Sequence, residues 1–474
     1  MKIALVSPLR QQHLMDESNW TLYNDTEPLG LLYIAAIAKE EGHDVRIFHP
    51  LQQANKGERI TQNILEFKPQ VVGFSSMTNN FLTSVAIAER VKNESPAVKV
   101  VFGGDHIGTY PQDMVNYPII DVGVYGEGEV TFRELIQNNF ELGDTAGISF
   151  VRNGRLIVNH PRKRVKDRTK LPKAERDEEI LRNSRVGSLM YPALSDQTGV
   201  VSLLFQYGCP LACTYCSATT LYGSQLTRTR PESLVAEMIE LKERYGVNTG
   251  FMTDLTFNLN AGRSEELCRQ IEAADLGIHW YALVRPTSPK NTPILKEPTL
   301  EAMVYAGCSK VGFGIESMEQ SAMQDYHRPT SLEEDEKVIK TIDRLGALSK
   351  VFLIIGHPDE TPECYERIVR ALKRMTPDEV RISFLTPFPG TPLWIGKKAE
   401  LLTQNYDDFT TFNPILQMKH ITPEELFDYR KKILIEYYTS SEFRTHVQRK
   451  ISANPHLEKS YSEFGDFLKD GGIV

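Results

Sequence analysis

The sequence contains no run of 18 apolar residues, so nothing in it reads as a membrane-spanning helix. It also lacks an excess of positive charge. Its 54 Lys and Arg are outnumbered by 62 Asp and Glu, leaving a formal net charge of −8. That balance argues against a nucleic-acid backbone as the main partner. The one basic run, RKRVKDRTK from Arg162 to Lys170, is followed closely by acidic residues and reads as a solvated linker. Cysteine is scarce, six in 474 residues, and Cys268, Cys308 and Cys364 stand alone in segments of helical pattern. This usage does not suit a disulfide framework and points to a reducing cytoplasm, with the isolated thiols in the core. No G-x-G-x-x-G follows the first strand, which disfavours a dinucleotide. The opening MKIALVSPL lacks a small-residue cleavage site and is expected to be a buried strand rather than a signal peptide.

What is present is alternation. Strand-length apolar runs alternate with helical patterns: KIALVS, LGLLYIAAIAKEEGH, DVRIFH, ITQNILEF, QVVGFSSM, FLTSVAIAERVKNE, KVVFGG, DVGVYGEG and EVTFRELIQN. They predict an α/β, doubly wound (Rossmann-like) domain around a parallel sheet. Ligands of such sheets sit beyond the C-terminal strand ends, and three ends carry suitable loops. GFSSMT offers Ser75, Ser76 and Thr78; GGDHIGT offers Gly103, Gly104 and His106; YGEGE offers Gly126, Glu127 and Gly128. Singly, each loop fits a tight turn. Together on one edge, bare glycine backbone suits a large flat or phosphate-bearing ligand. GISFVRNGRLIVNHP then predicts a hairpin around Asn153-Gly154, inside a connector spanning 146–195.

GCPLACTYC places Cys209, Cys213 and Cys216 directly after the apolar run GVVSLLFQYG. A structural zinc site needs a fourth ligand, which only a distant histidine would supply, and a ferredoxin-type run needs a fourth cysteine. Three thiolates suit three irons of a [4Fe–4S] cube with the fourth iron left open, and Tyr215 would shield it from solvent. Strand and helix patterns alternate again downstream, as in a β/α barrel, whose chemistry gathers at the C-terminal strand ends.

C-x3-C-x2-C with an aromatic before the last cysteine resembles the signature of radical S-adenosylmethionine enzymes, over roughly residues 196–425. Residues 1–145 resemble the cobalamin-binding domain preceding the catalytic domain in one large class of them, through PLGLLYIAA, VVGFSSMT, VVFGGDHIGTYP and DVGVYGEGEVTFREL. The resemblance implies a cobalamin domain at 1–145, a linker with a hairpin at 146–195, a partial (β/α)6 barrel at 196–415 and a helical segment at 416–474. It implies that the open iron chelates S-adenosylmethionine, whose reductive cleavage yields a 5′-deoxyadenosyl radical. It also assigns Asp254 and Asn258 of FMTDLTFN, Arg285 of WYALVRP, and Glu316 and Ser317 of GFGIES to S-adenosylmethionine, alongside Tyr215. Thr253 replaces the usual first acid, Asp359 in GHPDET replaces a glycine, and TPFPGTPLW matches a proline-glycine loop of the class. Histidine-ligating cobalamin modules carry Asp-x-His-x-x-Gly, whereas Asp105 and His106 are adjacent. His106 is therefore expected to line the lower corrin face with Gly103 and Gly104 without ligating cobalt.

The leading expectation is a cytoplasmic, cobalamin-dependent C-methyltransferase using a [4Fe–4S] cluster and S-adenosylmethionine on a small-molecule substrate. A flavodoxin- or ferredoxin-like protein would donate electrons. Radical cyclisation, ring rearrangement or C–C coupling without methyl transfer is the alternative, and a redox or cobalamin sensor the remote one. The aromatic helical stretch from Ile421 is expected to close the substrate cavity.

Overall fold

The computed structural model describes residues 1–8, 24–55, 59–186, 199–328 and 331–470. The expected linker boundary at 195 lies outside them. The first sheet comprises β1 (Lys2–Val6), β2 (Asp44–Phe48), β3 (Val71–Ser75), β4 (Lys99–Gly103), β5 (Val122–Val124), β6 (Ile148–Arg152) and β7 (Arg155–Val158), in the order β2-β1-β3-β4-β5-β6-β7. The first five strands pair in parallel, and strand alternation splits their apolar residues between two cores. Ala4 and Val6 pack with Ile64 and Val91 on one face, while Ile3 and Leu5 pack with Leu31 and Leu135 on the other. The predicted hairpin forms, with Asn153 and Gly154 both at positive φ (52° and 72°). Its strands complete the first sheet as an antiparallel pair rather than standing in a connector.

A second, all-parallel sheet runs in sequence order through β8 (Val201–Leu203), β9 (Thr249–Met252), β10 (His279–Leu283), β11 (Cys308–Glu316), β12 (Leu348–Ile355) and β13 (Glu379–Phe384). Helices Pro231–Tyr245, Ala261–Ala274, Glu297–Tyr305, Leu332–Arg344 and Pro362–Met375 alternate with its strands to make the six-stranded partial barrel. Cys268 and Cys364 lie in these helices, but Cys308 begins β11; all three are buried. At the N-terminal strand ends, Glu379 pairs with buried Lys310 and with Lys350 at 2.5 Å.

The basic run is not a solvated linker. Arg168 is 5% exposed and pairs with Glu129, Arg164 pairs with Glu127 at 2.9 Å, and Arg162 pairs with Glu134. Arg164 also donates to the carbonyls of Tyr207 and Tyr222, tying the N-terminal domain to the cysteine-bearing segment. The last two helices do not lie at the strand ends that hold the cysteines, whereas the first helix of the aromatic stretch, Pro423–Tyr438, starts near them, with Leu426 against Gly356 and the ring of Phe427 6.0 Å from that of Phe384. From Ser441–Ala453 and Leu457–Asp470, His446 and Tyr461 bind Asp378 and Lys450 binds the Ala347 carbonyl, all before the starts of β12 and β13. They seal the opposite end of the barrel.

Candidate active site

The cysteine loop leaves β8 under tight control. Both carboxylate oxygens of buried Asp254 accept backbone N–H groups, from Phe205 at 3.0 Å and Gln206 at 2.8 Å. The Thr214 amide donates to the Tyr326 carbonyl at 3.1 Å, and the Leu393 amide donates to the Thr214 carbonyl at 2.9 Å. The loop is thereby fixed by the chain after β11 and by the TPFPGTPLW loop after β13. Cys209, Cys213 and Cys216 share an apolar cluster with Leu211, Ala218 and Tyr222. Burial raises the Cys209 thiol and pushes Cys216 up to about 12.

Beside the loop, at the C-terminal strand ends, lies a cavity of about 330 Å³ bordered by Tyr215, Arg285, Gly314, Glu316 and Arg328. Tyr215 Oη donates to Glu316 Oε1 at 3.0 Å, Arg328 Nε stands 3.3 Å from the same oxygen, and Arg328 Nη2 donates to the Gly314 carbonyl at 2.6 Å. Glu316 adopts φ +65°, at an irregularity in the β11–β12 pairing. A Cβ at Gly314 would lie 1.9 Å from Glu316 Oε1, so the glycine lets the carboxylate fold over its own strand. Arg285 Nη1 is 3.6 Å from Cys213 Sγ, Nε donates to the Thr287 carbonyl, and buried Nη2 has no partner.

A second cavity of about 380 Å³ lies between the two sheets, at the switch point where the first sheet's strand order reverses. Leu5, Ser75, Gly103, Gly104, Gly126 and Gly128 form its floor, and Tyr207, Leu221 and Leu255 reach it from the barrel. A Cβ at Gly104, φ +88°, would lie 2.7 Å from the Ser76 carbonyl oxygen, so that close approach requires glycine. A smaller chamber of about 170 Å³ lies between the other two cavities. It shares Met77 and Asp105 with the inter-sheet cavity, and Phe388 and Thr411 with the barrel cavity. The three are neighbours that share wall residues.

The sequence-derived residues divide between these walls and the supports behind them. Tyr215, Arg285 and Glu316 border the barrel cavity. Asn258 instead holds the backbone of Arg285, accepting its N–H and donating to its carbonyl, both at 2.8 Å. Asp254 is fully turned to backbone, and Ser317 Oγ accepts from the Glu319 amide. In the first domain, Thr78 borders the small chamber, while Ser76 is buried against Ser84. Glu127 is consumed by Arg164, Thr227 and the Val165 amide. His106, expected against the ligand, is completely buried beneath the edge: its ring bonds Thr78 and Asp113 and stacks on Phe81 at 4.0 Å. Arg328 and Arg168 were missed. Arg168 lies in a basic run and Arg328 in the polar stretch DYHRPTS, and neither setting names a partner.

Comparison with known proteins bears on this architecture. Residues 19–136 match the B12 binding domain and residues 203–372 the Radical SAM superfamily. An uncharacterized methyltransferase of Pyrococcus horikoshii is 31% identical over 444 residues, 92% of each chain. The chain belongs to the cobalamin-dependent radical S-adenosylmethionine methyltransferase family. The anaerobic magnesium-protoporphyrin IX monomethyl ester cyclase of Rubrivivax gelatinosus is 24% identical over 414 residues, covering 85% of this chain and 72% of the cyclase. The cobalamin-dependent S-adenosylmethionine radical enzyme OxsB shares the fold, with a TM-score of 0.70 over all of this chain and 76% of its own, at 15% identity.

The family's cofactors are cobalamin, a [4Fe–4S] cluster and S-adenosylmethionine, and the residues present fit them. Three free thiols on one loop match a cube that takes one thiolate per iron. No three His, Cys, Asp or Glu side chains among the described residues are arranged for a single metal ion. The unpartnered Arg285 Nη2 at the barrel cavity suits a carboxylate. The glycine-floored cavity between the sheets suits a broad, flat ring. Among the described residues, no helix of this family member is long and apolar enough to cross a membrane.

Proposed function

We propose that this radical S-adenosylmethionine enzyme methylates an unactivated carbon of a small-molecule substrate held between its two cofactor cavities. The adjacency of the three cavities, which share wall residues, supports the reading, because a substrate in the small chamber would lie beside both cofactor cavities. When bound, the cofactors supply a hydrogen-abstracting radical and a transferable methyl group; the protein supplies placement and exclusion of water.

Cys209, Cys213 and Cys216 hold the cluster. Arg285 takes the carboxylate of S-adenosylmethionine, and Tyr215 and Glu316 form the wall against its amino and ribose groups. Asn258 and Asp254 act through backbone, positioning Arg285 and the cysteine loop respectively. Ser75, Gly103, Gly104, Gly126 and Gly128 floor the corrin site. Electrons come from a small flavodoxin- or ferredoxin-like donor, and the compartment is a reducing cytoplasm.

The cyclase relative favours a second reading, radical ring closure without methyl transfer. Anaerobic turnover with S-adenosylmethionine and candidate substrates separates the two. Methylation yields S-adenosylhomocysteine together with 5′-deoxyadenosine, whereas ring closure yields deoxyadenosine alone.

A further inference from the structure

Arg168, at the end of the basic run, is 5% exposed and borders the cavity between the sheets. Its guanidinium carbon stands 5.1 Å from the ring centroids of both Tyr33 and Tyr207, one from each side of the cavity. Nη2 is bonded to Glu129. Nη1 lies 3.6 Å from Glu127 Oε1, beyond hydrogen-bonding distance, and neither Nη1 nor Nε has a hydrogen-bond partner. A buried guanidinium with two unmet donors is costly unless something else accepts them.

We infer that Arg168 is a cofactor-binding residue, donating Nε–H or Nη1–H, which lie on different edges of the guanidinium, to an oxygen on the rim of the bound corrinoid. This rests on the reading of the inter-sheet cavity as the cobalamin site. The acceptor is a side-chain amide carbonyl or a phosphodiester oxygen of the nucleotide tail. Glu127 and Glu129 already balance the charges of Arg164 and Arg168, which favours the neutral carbonyl. The aromatic clamp uses Tyr33 from the first domain and Tyr207 from the barrel side, so the same contact would draw the two bodies onto the ligand.

Full-length R168M, which keeps the bulk between the rings, and R168K, which loses the planar fork, are titrated spectroscopically with hydroxocobalamin. A parallel titration uses cobinamide, which keeps the ring amides and lacks the phosphodiester tail. R162M removes a neighbouring Arg–Glu pair away from the cavity and serves as the control. The inference predicts that R168M weakens both corrinoids about tenfold or more, that R168K falls between it and the wild type, and that R162M stays within about twofold. Loss for cobalamin alone supports the contact and moves the acceptor to the phosphodiester. If R168M does not fold, R168K decides on the same comparison. Unchanged affinity in the folded Arg168 variants overturns the inference, as does an equal loss in R162M. A wild-type protein that binds neither corrinoid overturns the cavity reading and the inference with it.

Discussion

Arg285 Nη1 lies 3.6 Å from Cys213 Sγ, so the end of β10 reaches the thiol loop that follows β8. Its neighbouring Nη2 is buried and unpartnered. Replacing Arg285 with methionine is therefore expected to weaken S-adenosylmethionine binding by roughly tenfold to a hundredfold, the value of a charge-assisted hydrogen bond. Iron content after reconstitution should be unchanged. Equilibrium binding to the reconstituted protein measures the first quantity and iron analysis the second; unchanged affinity contradicts the assignment.

Asp378 joins His446 at 2.8 Å, Tyr461, and Lys450 at 3.4 Å. These contacts make the last two helices part of the barrel's closed end. D378A is expected to cost about 3–5 kcal/mol, the penalty for removing one partner from a buried charge network. Truncation after residue 440 should lose cooperative unfolding in urea. A truncated chain that melts like the full one would show the helices to be dispensable.

Glu379 sits between two buried lysines, which hold its carboxyl down at about 2 against an ordinary value of 4.5. A depressed carboxylate contributes stability that is complete above the unfolded value and lost as pH falls through the folded one. Urea midpoints should therefore drop as pH is lowered from about 5 towards 2. E379Q should be less stable at pH 7 and show a shallower acid slope. Parallel slopes in the two proteins would remove Glu379 from the account.

His106 is the histidine nearest to resembling a cobalt ligand in sequence, yet both ring nitrogens are committed to Thr78 and Asp113. H106Q is expected to leave the visible spectrum of bound cobalamin unchanged while lowering the melting temperature by several degrees, for a loss of about 1–3 kcal/mol. A spectral shift of the corrin in H106Q would restore His106 as a ligand.

Much of this was legible because it is local. Alternating strand and helix patterns marked both sheets, Asn153-Gly154 marked the hairpin, and three cysteines in nine positions marked the thiol loop. The rest depended on partners far along the chain. Arg164 and Arg168 look solvent-bound beside their neighbours, but their carboxylates lie at Glu127 and Glu129, 37 and 39 residues earlier. The family resemblance assigns Asp254 and Asn258 to the ligand, whereas in the structure the backbone of adjoining loops claims their side chains. The aromatic residues of the last helices signal a buried surface, and nothing local says which end of the barrel they bury.

The proposed function sets a radical source beside a methyl donor in adjoining cavities that share wall residues. Its most direct test is the coproduct ratio of cobalamin-loaded, reconstituted enzyme under reducing anaerobic turnover. The account predicts that S-adenosylhomocysteine and 5′-deoxyadenosine accumulate together, and that replacing Cys209, Cys213 and Cys216 with alanine abolishes the deoxyadenosine. Deoxyadenosine without S-adenosylhomocysteine during product formation, or its persistence in the triple variant, would contradict it.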